Sequence, residues 1–138
     1  MQLTPYLNFN GQCEEAFKFY ERALAGKITA LVTFESMGSA GHLPEGWGKK
    51  IMHAHMTVGD QVLMGSDAPA GRFEKPQGFS MSVQVDQPSE ADRVFNALAE
   101  QGEVRMPLQK TDWAARFGML TDQFGVPWMV NCAAAASA

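Results

Sequence analysis

Cys13-Glu14-Glu15-Ala16-Phe17-Lys18-Phe19-Tyr20-Glu21-Arg22-Ala23-Leu24 is the stretch on which the fold turns. Cys13, Ala16, Phe17, Tyr20 and Leu24 recur at spacings of three and four, which gathers them on one face of a helix. Glu14 and Glu15 fall in the first turn, where carboxylates favour the positive end of the helix dipole. Gly26 stands just past the last apolar position and is expected to take the positive φ that ends many helices. The pattern returns about 75 residues later, with Ala91, Val94, Phe95 and Leu98 as the inward face and Gly102 as the stop. Tyr20 then falls opposite Phe95. Ser89 with Asp92 approximates a capping box at the start of this second helix. Each helix is expected to run for about 13 residues, and no third long helix is expected.

Working outward, β-prone runs flank both helices. Thr4 to Phe9 closes on Asn10-Gly11, and Ile28 to Phe34 is rich in β-branched residues. His53 to Val58 and Gln61 to Met64 are joined by Gly59-Asp60, a hairpin signal. The second half repeats the order with Phe79 to Val85, Val104 to Gln109, Phe117 to Thr121 and Pro127 to Asn131. Glu35 to Lys50, with five residues of Gly or Pro type and no usable period, reads as a long mobile loop of the kind that closes over a ligand. Asp67 to Gln77 resembles a linker. The residues therefore predict an α+β chain of two βαβββ modules, about 1–70 and about 76–138 within one domain of 1–138, with a curled mixed sheet enclosing a cleft. A Rossmann sheet alternates strand and helix throughout and is excluded.

Composition fits that reading. The 138 residues are 46% hydrophobic and 19% charged, which is globular usage. A chain of this length buries about two-thirds of its unfolded surface and needs no covalent staple. The net charge of −4 offers no basic footprint for a phosphate backbone, so nucleic acid is not an expected partner. Two cysteines, Cys13 and Cys132, lie far apart and exclude a disulfide framework or zinc ribbon. No apolar run of about 18 residues occurs and the start of the chain lacks a basic-then-apolar leader, so the expected location is cytoplasmic, with no membrane partner.

Several stretches together resemble a known family. They are Pro5-Tyr6-Leu7-Asn8-Phe9, Ala16 to Tyr20 ending in Phe19-Tyr20, His53-Ala54-His55 and Met64-Gly65-Ser66-Asp67. The tail motifs Trp113-Ala114-Ala115-Arg116-Phe117-Gly118 and Thr121-Asp122-Gln123-Phe124-Gly125-Val126-Pro127-Trp128 are the most specific. In these the chain resembles the PhnB-like, 3-demethylubiquinone-9 3-methyltransferase-like group of the vicinal oxygen chelate superfamily, which includes glyoxalase I and the bleomycin- and fosfomycin-resistance proteins. The resemblance implies paired βαβββ modules, a cleft and a homodimer. It also implies a metal site with a His, Gln or Glu on the first strand, a carboxylate on the fourth, a His on the fifth and a Glu on the eighth. Counted from the helices and the last Gly turn, those positions here are about Pro5, Met64, Ser80 and Met129. Proline has no donor and thioethers suit soft metals, so no metal is expected there. A shift of one residue, to Thr4, Gly65, Met81 and Val130, supplies no better set. The methyltransferase label is not supported by a Gly-rich strand-to-helix turn, and no cofactor is expected.

Candidate site residues remain. His53 and His55 project from one strand face and serve as polar anchors or a proton acceptor, or else as ordinary sheet and surface histidines. Trp113 and Trp128, with Phe117 and Phe124, suit either the wall of a pocket or the core, and Asn131 aims an amide into the cleft or bonds within the sheet. Asp67 and Asp122 read as turn carboxylates rather than an acid/base pair, and Cys13 as packed rather than reactive. The leading expectation is a metal-independent small-molecule binding protein with pocket residues His53, His55, Trp113, Trp128 and Asn131. A metal-dependent or His-based vicinal oxygen chelate enzyme of lyase, isomerase or transferase type is the alternative, and a ligand-free dimeric scaffold the third reading.

Overall fold

The computed structural model describes residues 1–38, 43–69 and 71–134. The chain divides into two compact units, Met1–Glu74 and Lys75–Ala138. In the first, β1 (Tyr6–Phe9), α1 (Cys13–Ala23), β2 (Lys27–Thr33), β3 (Ile51–Val58) and β4 (Gln61–Asp67) follow in order, with a short 3₁₀ turn at Glu35–Met37. The second repeats the order with β5 (Met81–Val85), α2 (Pro88–Ala99), β6 (Glu103–Gln109), β7 (Ala114–Thr121) and β8 (Pro127–Ala133). The two βαβββ modules are thus present, each as its own four-stranded mixed sheet. Strand order is β1-β4-β3-β2 in one and β5-β8-β7-β6 in the other. The pairs β1–β4 and β5–β8 are parallel and the rest antiparallel.

Each helix covers one face of its own sheet. Cys13, Ala16, Phe17 and Tyr20 of α1 are fully buried, and the Phe9, Phe17 and Tyr20 rings meet at edge or tilted angles. A glycine sits beneath an aromatic ring in each unit. A Cβ on Gly65 would lie 2.8 Å from a Phe17 ring carbon, and one on Gly118 would lie 2.7 Å from a Phe95 ring carbon. These contacts identify which face of each sheet is the helix face.

Several local expectations are corrected. The left-handed residues that end the helices are Ala25 (φ 53°) and Gln101 (φ 57°), not Gly26 and Gly102. The glycines are required for another reason: a Cβ would stand 2.8 Å from the Thr57 carbonyl oxygen at Gly26 and 2.5 Å from that of Thr121 at Gly102. The capping box does not form. Gln87 is the N-cap of α2, with no side-chain capping bond, and Pro88 opens the helix, where its missing N–H costs nothing. Asp92 instead accepts from Arg116 at 3.3 Å. β4 continues past Met64 to Asp67, and β7 begins at Ala114 rather than Phe117. The helices span 11 and 12 residues.

The Glu35 to Lys50 stretch is pinned at its base. Phe34 N–H donates to Lys50 O at 3.1 Å, Glu35 N–H donates to Gly48 O at 2.9 Å, and Lys50 Nζ donates to Gly11 O at 3.0 Å. Residues 39–42, the middle of the expected lid, lie outside the described residues.

Candidate functional site on the helix-free sheet faces

Because Gly65 faces α1, its register partners Leu7 and Ala54 do so as well, and the residues between them point to the opposite face. That face of the first unit carries a cross-strand row of Tyr6, Met64, His55 and Ala30, aligned in direct register over four strands. Beside it lie Asn8 paired with Ser66, and His53 paired with Val32. His53 and His55 are therefore on one face, as the two-residue spacing requires.

Both imidazoles already touch a hydroxyl through Nδ1. His55 Nδ1 lies 2.5 Å from Thr29 Oγ1, and the same hydroxyl lies 3.2 Å from the His55 carbonyl oxygen. His53 Nδ1 lies 3.5 Å from the Tyr6 hydroxyl, with the two rings stacked at 6.0 Å and 28°. Thr29 reaches His55 because β2 bulges there: Ile28 pairs with Met56 and Ala30 with His55, so Thr29 is the extra residue. A bulge re-aims a side chain in this way.

The second unit has the same layout with different chemistry. Its helix-free rows are Ser82, Met129, Met119 and Met106, then Gln84, Asn131, Phe117 and Gln109. Asn131 Nδ2 donates to Gln84 Oε1 at 2.8 Å, and Gln84 Nε2 donates to Ser82 Oγ at 2.7 Å, an amide chain across two strands. Trp113 is 64% exposed and packs edge-on against Phe117 at 5.7 Å. Trp128 belongs elsewhere. It alternates with Asn131 on β8, is 2% exposed among the core residues, and donates Nε1–H to Asp122 Oδ2 at 2.8 Å. Within this unit, Trp113 with Phe117 and Asn131 are brought to the helix-free side, whereas Trp128 is core.

A family model described as 3-demethylubiquinone-9 3-methyltransferase matches residues 1–131. The chain belongs to that family. It is 37% identical to protein YjdN of Escherichia coli (strain K12) over 95% of both chains. Among solved structures, it is similar to protein PA1353 from Pseudomonas aeruginosa, with 51% identity, TM-score 0.86, and 96% and 98% of the two chains covered. A putative 3-demethylubiquinone-9 3-methyltransferase, PhnB protein, from Bacillus cereus follows at 28% identity and TM-score 0.81, covering 96% and 100%. Likeness in fold alone extends to a glyoxylase/bleomycin resistance protein/dioxygenase domain from Frankia sp. EAN1pec, with TM-score 0.65 at 12% identity.

In register, Tyr6 on β1 lies beside Met64 and Ser82 on β5 lies beside Met129. Taken unit by unit, neither a phenol beside a thioether nor a hydroxyl beside a thioether fits a metal that chelates vicinal oxygens, which wants carboxylate and imidazole donors. No group of three or more His, Cys, Asp or Glu side chains converges among the described residues.

The buried carboxylates do structural work in this family member. Asp67, 2% exposed at the end of β4, accepts Cys13 N–H on Oδ1 at 2.9 Å and Ile51 N–H on Oδ2 at 2.8 Å. It supplies the cap that Gln12 lacks, so its role is long-range and not the local turn expected of it. Asp122 does organise its own turn, accepting Phe124 N–H at 2.8 Å and Val126 N–H at 3.0 Å on Oδ1. Cys13 is fully buried, and its thiol is held far above the ordinary 9.0, chiefly by burial and then by Asp67 and Glu14. It is not a nucleophile at neutral pH.

Proposed function

We propose that this member of the 3-demethylubiquinone-9 3-methyltransferase family binds a small molecule without a metal, on the helix-free sheet faces. The observation that carries the reading is what stands at, or in register beside, the chelate positions that the resemblance implies. Tyr6, Met64, Ser82 and Met129 offer apolar surface and hydroxyls where a metal enzyme needs carboxylates. On the first unit's face His53 and His55 supply polar groups, and on the second unit's own face Asn131 and the exposed Trp113 supply an amide and aromatic surface, the kinds of group a ligand site uses. Trp128 supports this surface from the core side.

Methyl transfer in the manner of a doubly wound sheet is not the favoured chemistry. The β1–α1 turn is Asn10-Gly11-Gln12, and the α1 N-terminus already faces the Asp67 carboxylate, which would repel an anionic cofactor group. The protein is proposed to act as a cytoplasmic homodimer that meets neither nucleic acid nor membrane; no helix among the described residues is long and apolar enough to cross a bilayer. With net charge −4, neutral or cationic ligands are preferred over phosphates.

A thermal-shift screen of small molecules tests the reading, because a ligand selective for the native state raises the midpoint. Hits should persist in chelator and weaken in His55→Ala where they bind the first unit's face, or in Trp113→Ala where they bind the second's. Stoichiometric, tight divalent-metal binding lost in His53→Ala would favour the enzyme alternative. A mass near 15 kDa by sedimentation at micromolar concentration would refute the dimer.

A further inference from the structure

We infer that His55 presents an acceptor Nε2, without a partner among the described residues, to the helix-free face of the first unit, making that face a proton-accepting surface for ligands that carry an O–H or N–H donor. The inference deepens the ligand-binding reading and rests on it for the ligand, though not for the imidazole itself.

Proton counting at Thr29 carries it. The Thr29 hydroxyl has one proton and two neighbours, the His55 carbonyl oxygen at 3.2 Å and His55 Nδ1 at 2.5 Å. A carbonyl oxygen only accepts, so the contact is a hydrogen bond only if the hydroxyl donates to it. Nδ1 must then be the protonated nitrogen, donating to the lone pair of Oγ1. In the neutral ring this leaves Nε2 as the acceptor. The opposite assignment, with the hydroxyl donating to Nδ1, leaves the carbonyl contact without a proton. The two ring nitrogens diverge, so with Nδ1 directed at Thr29 on β2, Nε2 is directed away from it.

The β2 bulge is the second observation. It places Thr29 out of register and onto His55, whereas the matching irregularity in β6, between Val104 and Met106, sends Arg105 Nε to Thr121 Oγ1 at 2.8 Å. At the position of His55 the second unit carries Met119, since each pairs with the methionine of its neighbouring strand, Met64 or Met129. A built proton acceptor is thus a property of the first unit alone. Tyr6 and His53 stand beside it, and the phenol there can donate to an acceptor on the same ligand. Thr29 is a positioning residue and His55 is the group that meets the ligand.

The tautomer is read by long-range ¹H–¹⁵N correlation of the labelled protein at a pH where the ¹⁵N shifts report a neutral ring, with His55→Gln to assign the signals. His55 is expected in the Nδ1–H form. Thr29→Val should shift it toward Nε2–H, and Thr29→Ser should restore it. An Nε2–H ring in the unaltered protein, or a ring indifferent to Thr29→Val, overturns the inference. The donor preference is tested with phenol against anisole, which has the same ring and no proton to give. Phenol is expected to bind at least about fivefold tighter, with the advantage lost in Thr29→Val and regained in Thr29→Ser. Equal binding, or no binding of phenol, refutes the ligand class. A screen whose hits all map to the helices would instead defeat the ligand-binding reading, while the tautomer result would stand.

Discussion

Removing the Asp67 carboxylate should loosen the whole first unit, because one side chain joins three elements. It lies on the last residue of β4 and accepts the first N–H of α1 and the first N–H of β3. Hydrogen bonds to a charged acceptor contribute about 1.5–3 kcal/mol each, so two of them come to about 3–6 kcal/mol. Against this stands the desolvation of a carboxylate that is 2% exposed, which an apolar side chain would not suffer. Asp67→Ala is therefore expected to destabilise by about 3–5 kcal/mol, since it leaves both N–H groups buried without an acceptor. Asp67→Asn keeps one oxygen but turns an NH₂ toward the other N–H, and should cost about 2–3 kcal/mol. Urea unfolding with an unchanged slope measures both. Amide exchange at Cys13 and Ile51 should accelerate more than at Val130 of the second unit. A loss below about 0.5 kcal/mol for Asp67→Asn, or uniform exchange, would refute the capping argument and reopen Asp67 as a functional carboxylate.

Other outcomes follow from the same geometry. Cys13 holds its proton in the folded chain and releases it near 9.0 when unfolded, so stability is complete below that value and falls above it. The slope should approach about 1.4 kcal/mol per pH unit and vanish in Cys13→Ala; a native protein that reacts quickly with a thiol reagent at neutral pH would contradict the burial. Gly102→Ala forces a Cβ to 2.5 Å from the Thr121 carbonyl and should destabilise by about 1–3 kcal/mol, whereas Gln101→Gly, which relieves a left-handed residue at φ 57°, should stabilise by up to about 1 kcal/mol. Chemical denaturation separates the two, and a reversal of their signs would refute the assignment. Asp122→Ala should cost about 2–4 kcal/mol and raise the solvent exposure of Trp128, seen as a red-shifted emission; unchanged emission would argue against the indole bond.

The helices, the order of elements along the chain and the duplication were legible because each depends on a short-range apolar period. Cys13, Ala16, Phe17 and Tyr20 had to face a core whatever sheet they met, and so did Ala91, Val94, Phe95 and Leu98. His53 and His55 sharing a face is equally a matter of period. Trp128 is expected in the pocket with Asn131 but is core, because on a strand with Met129 and Asn131 the sequence does not say which alternation faces the helix. The partner that decides it, Asp122, is six positions back across a turn. Asp67 was harder still, since its acceptors' partners lie 54 and 16 residues away. Thr29 gave no signal at all: its importance comes from a bulge, a mismatch between two strands that neither strand records by itself.

The glycines after the helices show why a correct residue can carry the wrong reason. Gly26 and Gly102 occupy matching places in the two units, and a stop signal there is a sound reading of either sequence. Yet the chain reverses on Ala25 and Gln101, residues with a Cβ, and accepts the cost of a left-handed conformation at both. That cost persists twice because the next residue cannot be anything larger than glycine, with the Thr57 and Thr121 carbonyls standing where its Cβ would be. Those carbonyls sit at the ends of β3 and β7, the strands that present His55 and Phe117 on the helix-free faces. Close approach of helix end to strand end therefore ties α1 to the strand carrying His53 and His55, and α2 to the strand carrying Phe117. A side chain at 26 or 102 would have to displace backbone, and the displacement would reach β3 or β7 directly.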